Sequence, residues 1–146
     1  MKLVIQRVKD ATVTVKGLSI GHIDHGLLCY VGITHSDTLD IIDKVANKIL
    51  KLRIFDDLQG IMNLNVKQVE GSILLVSQFT LYGNTKGSNR PSWIDAAKPE
   101  QAKPIFDALV NTLKKEIHTE TGQFGEHMNV QYDNDGPVTI LVEMEG

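Results

Sequence analysis

The stretch from Leu74 to Tyr82 places polar side chains at the end of a strand that is predicted to be buried. Its first half is an uninterrupted apolar run, which is typical of a strand covered on both faces. Without an intervening turn signal, the run continues into Ser77, Gln78 and Thr80. Polar side chains on a rigid scaffold suit a functional site, but hydroxyls at a strand end also bond the backbone. Both interpretations stay open on this stretch alone.

Alternating and continuous apolar runs predict strands in the first third of the chain and again near its end. The first four strands, joined by short turns at Gly17 and at residues 24–26, are expected to form an antiparallel meander. Residues 133–137 are expected to form a tight turn between the last two strands. The predicted strands cover residues 3–9, 11–16, 18–23, 27–33, 74–77, 128–132 and 138–143.

Two helices are predicted from apolar side chains that recur at three- and four-residue spacing. The first is expected to run to Arg53, with Asp37 or Ser36 as its N-cap. The second opens near Pro99, and Pro104 suggests that its regular part starts only there. The order of elements indicates an α+β fold with a mixed, largely antiparallel and barrel-like sheet and two main helices.

The composition is that of an ordinary globular protein. The hydrophobic content of 42% and the charged content of 23% are usual for such a protein. The length of 146 residues favours one domain, which covers residues 1–146. No apolar run approaches the roughly 20 residues of a membrane span, and the N-terminal run is too short for a signal peptide. We therefore expect a cytoplasmic protein without a membrane partner. The single cysteine, Cys29, excludes an internal disulfide and is expected to be a core residue.

Charge limits the kinds of nucleic acid that the chain could bind. The net charge of −3, from 15 Lys and Arg against 18 Asp and Glu, disfavours wrapping a long nucleic-acid backbone. It does not exclude a protein that grips only the end of an RNA. The loop at residues 83–91 is locally basic, and its Lys86 and Arg90 could hold a phosphate or could simply be solvated.

Side chains with a recognisable catalytic or metal-binding spacing are few. His22 and His25 only flank a turn, and the acidic turn at Asp56 has no third ligand nearby, so no metal is predicted. Ser77 or Thr80 would have to be the nucleophile of a covalent mechanism, yet neither has a histidine or lysine beside it in the sequence.

Two separated motifs point to a known family. Residues 77–81 read Ser-Gln-Phe-Thr-Leu, and residues 134–139 read Asn-Asp-Gly-Pro-Val-Thr. Together they resemble the D-aminoacyl-tRNA deacylases of the bacterial and eukaryotic type, and the similarity extends over nearly the whole chain. The further stretches that carry it are Arg7-Val8, Ala11–Val15, Lys51–Asp57, Met62-Asn63, Asn89–Ser92 and Gly122–Gly125.

The resemblance implies an esterase that acts in chiral proofreading during translation. Such an enzyme cleaves a D-amino acid, or glycine, from the 3′-terminal adenosine of a mischarged tRNA. The resemblance further implies no cofactor, the tRNA acceptor end as a partner, and a homodimer with its active sites at the subunit interface. The implied catalytic residues are Ser77, Gln78, Phe79 and Thr80, the substrate-binding residues are Arg7, Met128, Gly136, Pro137, Val138 and Thr139, and the tRNA contacts are Lys86 and Arg90.

The same resemblance implies a mechanism. The Gly136-Pro137 peptide would be cis, with carbonyls that enter the partner subunit's pocket, hold the substrate amino group and reject L substrates by a clash. Arg7 would brace this turn, and Phe79 would pack near the adenine. Backbone N–H groups near Phe79 and Thr80 would hold the oxyanion, and the 2′-hydroxyl of the RNA would assist the chemistry. The alternative is Thr80 as the nucleophile.

Three features depart from the pattern of this family. The loop Lys86–Arg90 is one residue longer than the usual lysine-glycine-asparagine-arginine. Trp93 stands where phenylalanine is common, and Glu126 stands where alanine is usual. These departures bear on the RNA contacts of the loop rather than on the pocket.

Functions from other classes predict different features. A hydrolase of small D-amino acid esters with a Thr80 nucleophile would lose all activity on Thr80→Ala and would not need RNA. A non-catalytic module for single-stranded RNA would need several exposed aromatic side chains on one sheet face. A protein with only a structural or interaction role leaves the Gly136-Pro137 turn without an explanation.

Overall fold

A computed structural model describes residues 1–146. The chain begins with strands β1 (Lys2–Val15), β2 (Leu18–Ile23) and β3 (Gly26–Gly32). The predicted division of the first strand at residue 10 is wrong, because β1 continues for 14 residues. The predicted meander is also wrong. Instead, β1 pairs antiparallel with β3 through its first half and with β2 through its second half.

The rest of the sheet combines parallel and antiparallel pairs. Strand β3 pairs parallel with β6, and β6 pairs parallel with β7, so the strand order is β2-β1-β3-β6-β7, with β8 added antiparallel to β1. Strands β4 and β5 form a separate hairpin. The ranges are β4 (Phe55–Asp56), β5 (Met62–Leu64), β6 (Ser72–Ser77), β7 (Thr119–Thr121) and β8 (Asn129–Glu143).

The sheet curls into a nearly closed barrel. At the closure, a Cβ on Gly21 of β2 would lie only 2.6 Å from the carbonyl oxygen of Thr121 in β7, so the close approach of these strands requires glycine. The barrel interior is filled by small and medium apolar side chains, namely Val8, Ala11, Val13, Ile23, Leu28, Leu74 and Val76. A larger apolar cluster lies between the sheet and the two helices. The predicted α+β, barrel-like fold is therefore confirmed.

The doubly covered strands follow directly from the sequence. In β6, Leu74 and Val76 face the barrel interior, whereas Ile73 and Leu75 face the helices. Strand β3 divides in the same way, and its Cys29 lies on the helix side without any exposure. The complete burial of Cys29 confirms the prediction of a core cysteine, and this burial raises the pKa of its thiol.

Strand β8 differs from its prediction. The expected tight turn at residues 133–137 is wrong, because β8 continues through these residues, and the register with β1 shifts on both sides of the Val8–Asn134 pair. Residues 133–137 therefore form an irregular bulge within β8 instead of a turn. The Gly136-Pro137 peptide within it is cis. No residue of β8 is buried, and the strand pairs only with β1.

The first helix is shorter than predicted and has a different cap. Residues Leu39–Ile41 form a 3₁₀ turn, and α1 (Ile42–Lys51) follows it, ending before Arg53. The N-cap is Thr38, whose hydroxyl accepts a hydrogen bond from the Asp40 backbone N–H, rather than Asp37 or Ser36. The reason is that Asp37 is buried and binds the N-terminal ammonium of Met1 instead.

The second helix, α2 (Pro99–Lys114), begins at its first proline, with Pro104 inside it. The prediction that the regular helix starts near Pro104 is therefore wrong. Both Pro104 and Glu100 are exposed, so solvent can bond the Glu100 carbonyl that lacks a helical donor. The buried face of α2 contains Ile105, Phe106, Leu109, Val110 and Leu113. Neither helix is long and apolar enough to cross a membrane.

Candidate functional site

The polar residues after β6 are anchored to two strands. The backbone N–H of Gln78 donates to the Val31 carbonyl at 2.8 Å, which extends the parallel pairing of β3 and β6 beyond Ser77. A 3₁₀ turn, Phe79–Tyr82, then bends the chain away. The prediction that a buried strand ends in polar side chains is confirmed.

A cavity of about 630 Å³ opens at this end of the barrel. Ser77, Gln78 and Phe79 line it, together with Met128 from the segment before β8. Its other walls are mainly apolar and include Val31, Val76, Ala97, Ala102, Phe124 and Val130. The only side chains with a formal charge or an imidazole in the lining belong to Glu126 and His127. Such a cavity, with few polar groups among apolar walls, suits a small organic ligand.

Thr80 does not line this cavity. Its hydroxyl accepts a hydrogen bond from the Gln78 side-chain amide, and the Thr80 side chain is exposed. No histidine, lysine or carboxylate hydrogen-bonds the hydroxyls of Ser77 or Thr80. Neither hydroxyl therefore has a side-chain base of the kind that activates a serine or threonine nucleophile.

The second motif is held in place by Arg7, which is only 7% exposed. Its Nε donates to the Asp135 carbonyl at 3.1 Å, and its Nη1 donates to the Ile54 carbonyl at 2.9 Å. The guanidinium also forms ion pairs with Asp56 at 3.3 Å and with the Asp135 carboxylate at 3.5 Å. Because the planar guanidinium group bonds both Asp135 and Ile54, it fixes the bulge of β8 against the hairpin of β4 and β5.

Asn134 supports the bulge from the other side. Its side-chain amide donates to the carbonyls of Arg7, at 3.0 Å, and of Val138, at 3.1 Å. The Thr139 hydroxyl donates to the Gln6 side chain. Gly136 has φ of +128°, a conformation that favours glycine, and both Gly136 and Pro137 are exposed. The bulge is thus braced at its base and accessible at its tip.

The structure divides the predicted site residues into two groups. Ser77, Gln78, Phe79 and Met128 line the cavity. Residues 136–139 and Arg7 do not line the cavity of their own chain. Lys86 and Arg90 are exposed in the loop after the 3₁₀ turn and also lie outside the lining.

Some lining residues were missed by the sequence analysis. Ala96, Ala97, Pro99 and Ala102, around the start of α2, form one wall of the cavity. Small residues such as these carry no chemical signal in a sequence. Trp93 also lines the cavity, and its position directly after the basic loop is the one signal that could have indicated it.

No group of three His, Cys, Asp or Glu side chains could hold a metal ion. His22 bonds the Thr12 hydroxyl at 2.8 Å and Asp24 at 3.2 Å, whereas His25 bonds the Val69 carbonyl at 2.8 Å. The two histidines therefore have separate partners.

The chain is similar to proteins of one family over nearly all of its length. The family profile described as D-Tyr-tRNA(Tyr) deacylase matches residues 4–143. The D-aminoacyl-tRNA deacylase of Halalkalibacterium halodurans is 53% identical over 144 residues, which cover 98% of this chain and 99% of the relative. That of Thermosipho melanesiensis is 48% identical and covers 98% of this chain and 97% of the relative.

Two solved structures have the same fold. The c-Myc DNA Unwinding Element Binding Protein superposes with a TM-score of 0.94 at 37% identity, over 100% of both chains. A probable eukaryotic D-amino acid tRNA deacylase superposes with a TM-score of 0.84 over 98% of both chains, and its 14% identity shows the fold alone. Since the family profile and close relatives both span almost the full length, this chain belongs to the D-Tyr-tRNA(Tyr) deacylase family.

Proposed function

We propose that the chain hydrolyses the ester bond of D-aminoacyl-tRNA in the cytoplasm and releases the free D-amino acid and tRNA. The observation that carries this proposal is the mainly apolar cavity at the end of β6, which Ser77, Gln78 and Phe79 line and in which no histidine, lysine or carboxylate hydrogen-bonds the Ser77 hydroxyl. The names of the relatives, all D-aminoacyl-tRNA deacylases, support the substrate.

The site is completed by a second copy of the chain. The bulge at Gly136 and Pro137 is rigidly braced yet exposed, and it lies outside the cavity of its own chain. Strand β8 has an unpaired edge and no buried residue, as expected of a strand that another subunit covers. In the dimer, the bulge enters the partner's cavity, and its carbonyls accept hydrogen bonds from the substrate ammonium group.

Backbone contacts select the D substrate. A carbonyl wall holds the amino group in one orientation, so that the side chain of an L-amino acid strikes the wall while that of a D-amino acid points away. Glycine has no side chain to be rejected, and glycyl-tRNA is therefore also a substrate. The wall is rigid because Arg7 and Asn134 fix the backbone on both sides of it.

The chemistry needs no protein nucleophile. Water attacks the ester carbonyl, the bond from that carbon to the ribose 3′-oxygen breaks, and the released 3′-oxygen takes up a proton. The first N–H groups of a 3₁₀ turn lack acceptors within the turn, so those of Phe79 and Thr80 can stabilise the oxyanion. The 2′-hydroxyl of the terminal adenosine assists in place of a side-chain base. Phe79 packs near the adenine, and Lys86 and Arg90 contact tRNA phosphates.

The proposal is tested by following deacylation of D-Tyr-tRNA and L-Tyr-tRNA with the wild type and Thr80→Ala in parallel. We expect rapid loss of the D ester only. Because the Thr80 hydroxyl has no base, the variant should keep its rate within about threefold. Release of labelled tyrosine measures both esters directly.

Each other outcome has a definite meaning. Loss of both esters, or of neither, contradicts the proposed function. A D-specific wild type with an inactive Thr80→Ala variant would instead assign Thr80 as the nucleophile of a covalent mechanism. Circular dichroism of the variant shows whether any loss reflects unfolding.

A further inference from the structure

Two exposed aromatic side chains meet at the mouth of the cavity. Phe79 is 54% exposed and Trp93 is 43% exposed, and both line the cavity. Their ring centroids are 5.3 Å apart with an interplanar angle of 75°, so the rings pack edge to face. In this arrangement each aromatic side chain keeps solvent-accessible surface on which a planar ligand can stack.

Trp93 is held in a fixed position. A Cβ on Gly83 would lie 2.7 Å from Cζ3 of Trp93, so the indole packs directly on the backbone at the end of the 3₁₀ turn. After Trp93, the chain is tied to the end of β3, because His35 Nε2 donates to the Ile94 carbonyl at 2.6 Å and the Thr34 hydroxyl donates to the Asp95 carbonyl at 2.6 Å. The indole is thus pre-oriented for binding.

The loop between the two aromatic residues is basic and structured. Backbone hydrogen bonds of 2.9 Å in both directions pair Asn84 with Ser92 and close the loop at its base. Within residues 78–94 the only charged side chains are those of Lys86 and Arg90, in a chain with a net charge of −3. Neither side chain takes part in a salt bridge. This loop is therefore a local positive region beside the aromatic pair.

We propose that Trp93 is a stacking site for the unpaired base that precedes the terminal adenosine of the substrate RNA, with Lys86 and Arg90 holding the backbone beside it. Aromatic faces combined with free cations are the features by which proteins bind single-stranded nucleic acid. The inference rests on the proposed function, because the terminal adenosine must occupy the cavity whose mouth Trp93 lines. It gives the tryptophan at this position a role beyond forming the cavity wall.

The test compares two substrates that differ in the proposed contact. D-Tyr-tRNA has the penultimate nucleotide, whereas 3′-O-D-tyrosyladenosine lacks it. Trp93→Ala should lower kcat/KM for D-Tyr-tRNA by roughly tenfold, which corresponds to the stacking of one base. The same variant should lower kcat/KM for the adenosine ester by a much smaller factor, because that substrate lacks the base that stacks on Trp93 and meets Trp93 only as part of the cavity lining. Trp93→Phe, which keeps an aromatic face, should recover most of the loss.

A direct binding measurement is possible because Trp93 is the only tryptophan of the chain. Titration with the trinucleotide CpCpA should quench its fluorescence more strongly than titration with adenosine alone. Ile94→Ala is the matched control, since Ile94 is 76% exposed, adjoins Trp93 and does not line the cavity. This control should bind and quench like the wild type.

The outcomes separate the two proposals. Equal losses on both substrates, or quenching by adenosine as strong as that by CpCpA, would make Trp93 only a cavity wall and overturn this inference. A wild type that releases no D-tyrosine from either substrate would overturn the proposed function itself. Hydrolysis of the adenosine ester by Trp93→Ala also shows that the variant is folded.

Discussion

Replacement of Asp37 by asparagine is expected to lower the free energy of unfolding by about 3–5 kcal/mol, because it leaves a buried ammonium group without its counter-charge. The Asp37 side chain is 2% exposed, and its Oδ1 lies 2.9 Å from the N-terminal ammonium of Met1, which is fully buried. The same ammonium donates to the Met144 carbonyl at 2.8 Å. This ion pair therefore joins the start of β1, the end of β8 and the approach to α1.

Asparagine cannot replace the carboxylate by hydrogen bonding alone. Oδ2 of Asp37 accepts from the Thr34 backbone N–H at 2.9 Å, while Oδ1 accepts from the ammonium. An amide has one oxygen only, so one of these two donors would face the NH₂ group in either orientation. A buried donor then remains unsatisfied, which adds to the loss of charge.

Urea unfolding followed by circular dichroism measures the effect. Asp10→Asn is the matched control, since Asp10 is exposed in β1 and forms no salt bridge. It should change the free energy of unfolding by less than about 0.5 kcal/mol. If Asp37→Asn were equally mild, the ammonium would have another way to be solvated, and the buried pair would not be a determinant of stability.

The type of most elements could be predicted because hydrophobic periodicity reports burial directly. Continuous apolar runs predicted the doubly covered β3 and β6, and a stripe of Ile105, Leu109 and Leu113 predicted the buried face of α2. These features depend on local sequence alone, so the rest of the fold does not need to be known.

Features that depend on partners distant in sequence could not be predicted. Asp37 has the residue type of an N-cap, but it binds an ammonium group 36 residues away, and only the folded chain shows this. Residues 133–137 carry every signal of a tight turn, yet pairing with β1 and the Arg7 hydrogen bonds hold them in a bulged strand. Tertiary contacts overrode the local turn preference in this segment.

The candidate site was predictable only in part for the same reason. Ser77, Gln78 and Phe79 follow a buried strand, so their position could be read from the sequence. The wall formed by Ala97 and Ala102 lies around the start of α2, and alanines carry no sequence pattern that would indicate a binding site. The Gly136 bulge lies outside the cavity of its own chain, a location that only the family resemblance had implied and that no local pattern in the sequence indicates.

Replacement of Gly136 by alanine is expected to lower kcat/KM for D-Tyr-tRNA by about 100-fold or more, because small displacements of substrate-positioning groups have effects of this size. An alanine Cβ would lie 2.9 Å from Cγ2 of Val138 and 3.2 Å from Nη2 of Arg7, and the φ of +128° disfavours any side chain. The bulge must therefore shift. Gly17→Ala is the control, since Gly17 has φ of +78° and open space around it, so it introduces strain without a clash.

Mixed dimers test whether the bulge acts on the partner's cavity. Gly136→Ala damages the bulge, and Ala96→Trp would fill the cavity, because Ala96 lines it. When the two variants are unfolded and refolded together, half of the dimers are mixed, and each mixed dimer has one cavity and one bulge intact in opposite subunits. If the bulge of one subunit serves the cavity of the other, one of the two sites in each mixed dimer is complete, and the mixture recovers about a quarter of the wild-type activity. If the bulge instead serves the cavity of its own subunit, the mixture recovers no activity. An inactive mixture of two folded variants would therefore contradict a shared site.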